Sequence, residues 1–142
     1  MNYINTLNYG NKLLKNNNIS SYQLDCELLL AKVLNKTREE ILINLKDKLE
    51  ADKFNKFKKL LIRRKQNEPL AYIFRQKEFW KYNFFVNKDV LIPRPETEII
   101  VEEVLKLTKN KSTKNFLEVG TGSGCLIISL INESPNSRGI AI

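Results

Sequence analysis

The first 67 residues of the chain carry apolar residues at the spacing of amphipathic helices. The apolar face of the first predicted helix comprises Tyr3, Ile4, Leu7, Leu13 and Leu14. Two capping boxes, each a serine or threonine followed three residues later by glutamine or glutamate, predict helix starts at Ser20 and Thr37. A fourth helix is predicted over residues 51–66, where phenylalanines and leucines share one face. Short helices with brief polar connections predict a small helical bundle over residues 1–67.

The pattern changes at Glu68, after which aromatic and β-branched residues typical of strands predominate. These residues are Tyr72, Ile73, Phe74, Phe79, Trp80, Phe84, Phe85 and Val86. A turn at residues 81–83 would join the last two runs as a β-hairpin, with Phe79 and Trp80 on its buried side. Proline at positions 93 and 95 requires extended backbone before it. Residues 68–94 are therefore predicted to form a β-hairpin and an extended linker.

The remaining residues predict one β-loop-α-β unit. Pro95 suits the first position of a helix, and the acids Glu96 and Glu98 favour its first turn. After this helix we predict a strand over residues 115–119, a glycine-rich turn, a helix over 125–133 and a strand from 138 to 142. This order is typical of the start of a doubly wound α/β sheet, which we predict for residues 95–142. Because two strands and one helix do not complete a parallel sheet, we expect the sequence to be incomplete.

The composition excludes several kinds of chemistry. No histidine occurs among the 142 residues, which excludes Ser-His-Asp and Cys-His nucleophilic sites and histidine-ligated zinc. Cys26 and Cys125 lie in different segments, so neither a disulfide framework nor a metal site is predicted, and Cys125 is interpreted as a packing residue. No apolar run approaches the roughly 18 residues that span a bilayer, and no signal-peptide pattern is present. We therefore expect a reduced, cytoplasmic, monomeric protein.

The chain is basic, with 24 Lys and Arg against 16 Asp and Glu and a formal net charge of +8. Such a charge occurs in proteins that bind nucleic acid or associate with the ribosome. Apart from residues 63–65, however, the cations are dispersed along the sequence, as is typical of a solvated surface. Direct binding of nucleic acid is therefore not expected from the charge alone.

The strongest chemical signal is the segment from Glu118 to Gly124, Glu-Val-Gly-Thr-Gly-Ser-Gly. Its glycines allow a sharp turn and a close approach of the backbone to a ligand, and the following helix start supplies free N–H groups. A dinucleotide-binding G-x-G-x-x-G loop would need glycine where Cys125 stands. A P-loop would need a lysine after the glycines, and the sequence contains no lysine after Lys114. The acid-x-G-x-G-x-G pattern is similar to the first motif of Rossmann-like methyltransferases. A dinucleotide site and a glycine-rich turn without a ligand remain as alternatives.

The second half of the chain resembles a known family. Residues 68–98, EPLAYIFRQKEFWKYNFFVNKDVLIPRPETE, followed by NFLEVGTGSGCLIISL, look like the HemK/PrmC family of protein-(glutamine-N5) methyltransferases. The PLAYI, EFW, IPRPETE and GTGSG runs occur in the order and spacing of that family, whereas the helical start is compatible with its N-terminal bundle without being diagnostic. Two positions depart from the family: glycine is common where Arg75 stands, and aspartate is usual where Glu118 stands.

The resemblance implies methyl transfer from S-adenosylmethionine to the glutamine amide in the Gly-Gly-Gln motif of peptide chain release factors, which residues 1–67 would recognise. The residues implied to contact or support the cofactor are Glu118, Gly120, Thr121, Gly122, Ser123 and Gly124. Arg94 and Glu96 are implied to border the substrate pocket. A structural ion pair of Arg94 with Glu96 or Glu98 is an equally weighted alternative.

The catalytic Asn-Pro-Pro-Tyr loop of the family does not occur in this sequence. We expect that loop, and the acid that binds the cofactor's ribose, to belong after Ile142. No catalytic residue and no metal ligand is therefore assigned, and the chain alone is expected to be inactive. Two other functions remain open: a methyltransferase acting on exocyclic amines of RNA or DNA, and a non-catalytic module that binds a translation factor.

Overall fold

The computed structural model describes residues 1–112 and 114–142. It divides the chain into two compact units, Met1–Phe74 and Arg75–Ile142. The described residues form an α/β protein with seven α-helices, a 3-10 helix and two small two-stranded sheets. The boundary lies at Phe74, whereas the predicted end of the helical bundle is residue 67.

The first unit is a helical bundle. Its helices are α1 (Tyr3–Lys15), α2 (Tyr22–Leu34), α3 (Arg38–Ile43), α4 (Ala51–Lys65) and α5 (Leu70–Phe74). Apolar faces of these helices meet in one core, in which Leu14, Leu29 and Phe57 are fully buried. The four helices that the apolar pattern predicted are therefore confirmed, and α5 was not predicted.

One of the two predicted capping boxes is present. The Thr37 hydroxyl accepts a hydrogen bond from the Glu40 N–H at 3.2 Å, and the Glu40 carboxylate accepts one from the Thr37 N–H at 2.6 Å. The box predicted at Ser20 is wrong, because α2 begins after Ser21, whose backbone is not extended. The Ser21 hydroxyl donates instead to the Asp25 carboxylate at 3.0 Å.

The strand predicted at residues 72–74 is also wrong, because Leu70–Phe74 forms helix α5. The N–H groups of Tyr72 and Ile73 donate to the Pro69 carbonyl at 3.0 and 3.1 Å, which begins the helix. Ile73 is buried in the core of the helical unit. Burial in a helical core has overridden the strand preference of these aromatic and β-branched residues.

The second unit begins with an antiparallel hairpin of β1 (Lys77–Phe79) and β2 (Tyr82–Phe84). The hairpin is confirmed, but its turn comprises Trp80 and Lys81 instead of residues 81–83. Trp80 has a φ of 57°, in the left-handed region that bulky residues rarely adopt. Phe79 and Phe84 are buried and their rings meet edge to face, with centroids 6.2 Å apart, so Phe79 lies on the buried side as predicted. Trp80, predicted on the same side, lies in the turn and is half-buried.

A 3-10 helix and the predicted β-loop-α-β unit follow. The elements are the 3-10 helix Pro95–Thr97, α6 (Glu98–Thr108), β3 (Lys114–Glu118), α7 (Cys125–Asn132) and β4 (Ser137–Ala141). The strands β3 and β4 are parallel, with Leu117 opposite Ile140. Helix α7 approaches the sheet so closely that a Cβ on Gly139 would lie 2.7 Å from the Ile131 side chain.

The core of the second unit joins the hairpin to α6 and α7. Its buried residues are Phe79, Phe84, Val101, Cys125 and Leu130. Because α7 begins directly after the glycine-rich segment, this core fixes the hairpin and that segment within one compact unit.

Candidate functional site

The glycine loop, residues 119–124, leaves the end of β3 and enters the start of α7. Gly120, Gly122 and Gly124 have φ angles of 78°, 56° and 75°, which residues with a Cβ adopt at a cost. A Cβ at Gly120 or at Gly122 would meet no other atom within 4 Å. These two glycines therefore expose bare backbone to open space, as a loop that receives a ligand closely requires.

Glu118 bonds to the middle of the glycine loop and to helix α7. One carboxylate oxygen accepts a hydrogen bond from the Thr121 hydroxyl at 2.9 Å and another from the Ile127 N–H at 3.2 Å. Ile127 belongs to the first turn of α7, where N–H groups lack partners within the helix. Glu118 thus fixes the loop against the helix that follows it.

The backbone after β4 lies beside the loop. The Ile142 carbonyl accepts hydrogen bonds from the N–H groups of Gly120 and Thr121 at 2.6 and 3.2 Å, and the Ile142 N–H donates to the Glu118 carbonyl at 3.0 Å. The Gly124 N–H donates to the Thr121 carbonyl at 2.9 Å, which closes the turn. Both parallel strands therefore set the path of the loop.

A cavity of about 690 Å³ lies between the hairpin and the glycine loop. The hairpin contributes Tyr82 and Asn83 to its lining, α7 contributes Asn132, and the loop contributes Gly122 and Ser123. The Ser123 hydroxyl oxygen is buried, and its hydrogen bond is one of the influences on the Cys125 thiol. A cavity of this size, with aromatic and amide side chains, is within the range of small-molecule sites.

These features fit the cofactor that the resemblance implies. The open faces of Gly120 and Gly122 admit a flat or bulky ligand group. Among the described residues, no group of three His, Cys, Asp or Glu is placed to hold a metal ion. The assignment of the six loop residues to a cofactor stays a prediction.

The structure does not bring Arg94 or Glu96 to this cavity. Both side chains are exposed, and neither forms a salt bridge among the residues that the structure describes. The Arg94 carbonyl accepts a hydrogen bond from the Thr97 N–H at 3.0 Å, so the backbone of Arg94 begins the 3-10 helix. Glu98 accepts a hydrogen bond from the Trp80 N–H at 2.8 Å instead of pairing with Arg94.

Cys125, the first residue of α7, is 8 % exposed. Burial is the largest influence on its thiol and raises the pKa of Cys125, so a reactive thiolate is disfavoured at this helix start. The interpretation of Cys125 as a packing residue is consistent with this environment.

The side chains of the hairpin and of α7 that line the cavity were not predicted from the sequence. Tyr82, Asn83 and Asn132 belong to no motif with a known binding role, and some forty residues separate the hairpin from α7. The family-like run that spans the hairpin was the one available signal for Tyr82 and Asn83. None of the helices in the described part of the chain is long and apolar enough to cross a bilayer.

Residues 5–74 match the family model of the PrmC N-terminal domain. The chain is 44% identical over 125 residues to a release factor glutamine methyltransferase of Leptospira interrogans, a match that covers 87% of this chain and 44% of that protein. It is 41% identical over 138 residues to a release factor glutamine methyltransferase of Buchnera aphidicola, with 97% of this chain and 50% of that protein covered. The chain is also 42% identical over 147 residues to a bifunctional methyltransferase of Rickettsia conorii. This match covers 87% of this chain and 28% of that protein.

The chain spans half or less of the length of these curated relatives. Since each match covers at least 87% of the chain, the similarity extends beyond the helical unit into the unit that holds the glycine loop. The match to residues 5–74 identifies the helical unit, whose sequence pattern by itself was compatible with the N-terminal bundle of the family without being diagnostic of it. The chain therefore belongs to the HemK/PrmC family, with residues 5–74 as its PrmC N-terminal domain.

Proposed function

We propose that this chain carries the helical domain and the cofactor loop of an S-adenosylmethionine-dependent methyltransferase that modifies the glutamine of the Gly-Gly-Gln motif in release factors. The observation that carries the proposal is the glycine loop. Glu118 accepts hydrogen bonds from both Thr121 and Ile127, and Gly120 and Gly122 face open space. The names of the relatives from Leptospira interrogans and Buchnera aphidicola support the substrate. The parallel pair of β3 and β4 with α7 supports a Rossmann-like domain that begins at residue 95.

In this proposal Glu118, Gly120 and Gly122 each have a physical role. The cofactor supplies a methyl group on a positively charged sulfonium. Gly120 and Gly122 allow it to approach the backbone, and Glu118 holds the loop in shape while adding negative charge near the site. The N-terminal end of helix α7 favours polar or negatively charged atoms of the ligand.

The substrate amide needs more than these residues. A glutamine amide nitrogen is a weak nucleophile because its lone pair is delocalised into the carbonyl, so the reaction depends on orientation and electrostatic stabilisation. The sequence contains neither histidine nor an Asn-Pro-Pro-Tyr run that would orient the amide. We therefore expect no methyl transfer by the 142 residues on their own. The helical domain would recognise the release factor, and a monomeric cytoplasmic protein remains our expectation.

A chimera tests the proposed function. The chain is joined to the C-terminal part of the Leptospira interrogans relative, beyond the matched region, and incubated with labelled adenosylmethionine and a release factor. We expect label on the Gly-Gly-Gln glutamine and none on a release factor in which alanine replaces that glutamine. Transfer to RNA or DNA alone would instead support the alternative of an exocyclic-amine methyltransferase.

A non-catalytic binding module is a second candidate, because the matched domain forms a compact unit of its own. Binding of a release factor to the 142-residue chain, measured by calorimetry, would be expected under either function. A chimera that binds the release factor but never methylates it would favour the binding module.

A further inference from the structure

Two helix ends hold the turn of the hairpin. The Trp80 N–H donates to the carboxylate of Glu98, the first residue of α6, at 2.8 Å. Glu133, directly after α7, accepts hydrogen bonds from the Lys81 ammonium at 2.8 Å and from the Tyr82 hydroxyl at 3.1 Å. Three consecutive hairpin residues are thus bonded to carboxylates of two different helices.

The position of Glu133 is not explained by helix α7. The C-terminal end of a helix favours cations, so a carboxylate there is unfavourable for the helix by itself. The Glu133 side chain is nevertheless only 19% exposed, and the hydrogen bond from Lys81 is the main influence that lowers the pKa of Glu133. Its partners on the hairpin therefore stabilise the charged form of Glu133 where it stands.

The turn itself also requires support. Trp80 adopts a φ of 57°, and a bulky residue persists in that region only where its surroundings determine the backbone. Lys81 lies over the Trp80 ring, with its ammonium 5.9 Å from the ring centroid, as well as bonding Glu133. The contacts of Glu98 and Glu133 supply support on both sides of the turn.

The same hairpin forms a wall of the cavity beside the glycine loop. Tyr82 donates a hydrogen bond to Glu133 and also lines this cavity. The next residue, Asn83, lines the cavity too. Gly122 and Ser123 of the glycine loop line it as well. A displacement of the hairpin turn would therefore change the position of Tyr82 relative to the loop.

We propose that Glu133 is a positioning residue, which holds the Lys81–Tyr82 side of the hairpin and thereby sets the width of the cavity in which adenosylmethionine binds. The identity of the ligand rests on the proposed function. The tie between Glu133 and the hairpin does not, so the two claims can fail separately.

The first measurement follows the hairpin without any ligand. Trp80 is the only tryptophan in the sequence, so the chain has a single indole N–H resonance, whose nitrogen is buried. In Glu133→Gln, which keeps the size of the side chain and removes its charge, we expect this indole N–H to exchange roughly two- to fivefold faster. The matched control is Asp52→Asn on α4, which removes the charge from an exposed ion pair with Lys56, 3.9 Å away in the helical unit, and no change is expected there.

A charge exchange separates an ion pair from packing. Lys81→Glu places two carboxylates together and is expected to accelerate the exchange further. The double variant Lys81→Glu/Glu133→Lys restores an opposite-charge pair and is expected to return the exchange rate to near the original value. A double variant no slower than the single one would overturn the proposed tie, as would an unchanged rate in Glu133→Gln.

The second measurement follows the ligand. Adenosylmethionine is titrated into the chain and into Glu133→Gln while the amide resonances of Gly122 and Ser123 are recorded. We expect the apparent dissociation constant to rise by roughly the same two- to fivefold. Faster indole exchange with an unchanged dissociation constant would show a purely structural contact and overturn the positioning role. If these amides do not respond in the unsubstituted chain, the proposed cofactor site fails, and the indole exchange still judges the tie.

Discussion

The Glu118 carboxylate accepts a hydrogen bond from the Thr121 hydroxyl at 2.9 Å across the glycine loop. The same oxygen accepts the Ile127 N–H at 3.2 Å, so one side chain at the end of β3 joins the loop to α7. Glu118 therefore makes contacts through which an acid can organise the loop.

Removal of the Glu118 carboxylate tests this role in stability. Glu118→Ala leaves the Thr121 hydroxyl and the Ile127 N–H without their acceptor, and we expect the second unit to lose about 1–2 kcal/mol. Denaturant unfolding followed by the fluorescence of Trp80 reports this unit. The control Glu102→Ala, on the exposed face of α6, should change stability by less than about 0.5 kcal/mol. Equal effects of the two substitutions would contradict the role.

Arg75 occupies a backbone conformation that favours glycine. Its φ is 55°, in the left-handed region where a side chain is unfavourable. We expect Arg75→Gly to stabilise the second unit by up to about 1 kcal/mol, less the entropy that glycine adds to the unfolded chain. Lys77→Gly in β1 is the control, and it should destabilise the same unit. Thermal unfolding measures both variants, and a loss of stability in Arg75→Gly as large as that in Lys77→Gly would show that the left-handed backbone carries no cost.

The helical unit depends on a buried ion pair. Asp25 of α2 is 3% exposed and accepts a hydrogen bond from Arg64 of α4 at 2.6 Å. Asp25→Asn leaves the Arg64 guanidinium without its counter-charge, and we expect a loss of about 2–4 kcal/mol in the free energy of unfolding. The exposed pair of Asp52 with Lys56, 3.9 Å apart, provides the control, since Asp52→Asn should cost less than about 0.5 kcal/mol. Far-UV circular dichroism during urea unfolding measures both, and similar values would contradict the buried pair's importance.

Cys26 gives the helical unit a dependence on alkaline pH. Burial, followed by the charges of Asp25 and Glu27, raises the pKa of Cys26 from 9.0 to about 12. The folded chain thus binds the thiol proton more tightly than the unfolded chain, so this contribution to stability is complete below pH 9 and is lost as the pH rises towards 12. We expect Cys26→Ala to flatten the fall in stability above pH 9. A fall of the same slope in both proteins would show that Cys26 does not titrate differently on folding.

The parts of the fold with a local cause were predictable from the sequence. Apolar periodicity predicted α1, α2, α3 and α4, and the Thr37 box predicted a true helix start, because both signals act within a few residues. The strand predicted at residues 72–74 failed since burial against other helices decided the outcome. The hairpin turn moved to Trp80 and Lys81, where contacts from Glu98 and Glu133 hold it.

The candidate site divides in the same way. The loop from Glu118 to Gly124 was visible because its spacing is contiguous in the sequence. The opposite wall of the cavity was not, since Tyr82 and Asn132 meet only after the chain folds. Arg94 and Glu96 belong to a family-like run, yet they lie outside the lining of this cavity, and their predicted role rests on the resemblance alone.

A nuclear magnetic resonance titration of the chain with adenosylmethionine shows whether the loop from Glu118 to Gly124 binds this cofactor. We expect weak, saturable shifts of the Gly120, Gly122 and Gly124 amide resonances. We also expect Gly122→Ala, which places a methyl group in the open space at a φ of 56°, to abolish these shifts. Loop amide resonances that do not shift at a saturating cofactor concentration would contradict binding at this loop. Shifts of the same size in Gly122→Ala as in the unsubstituted chain would contradict it as well.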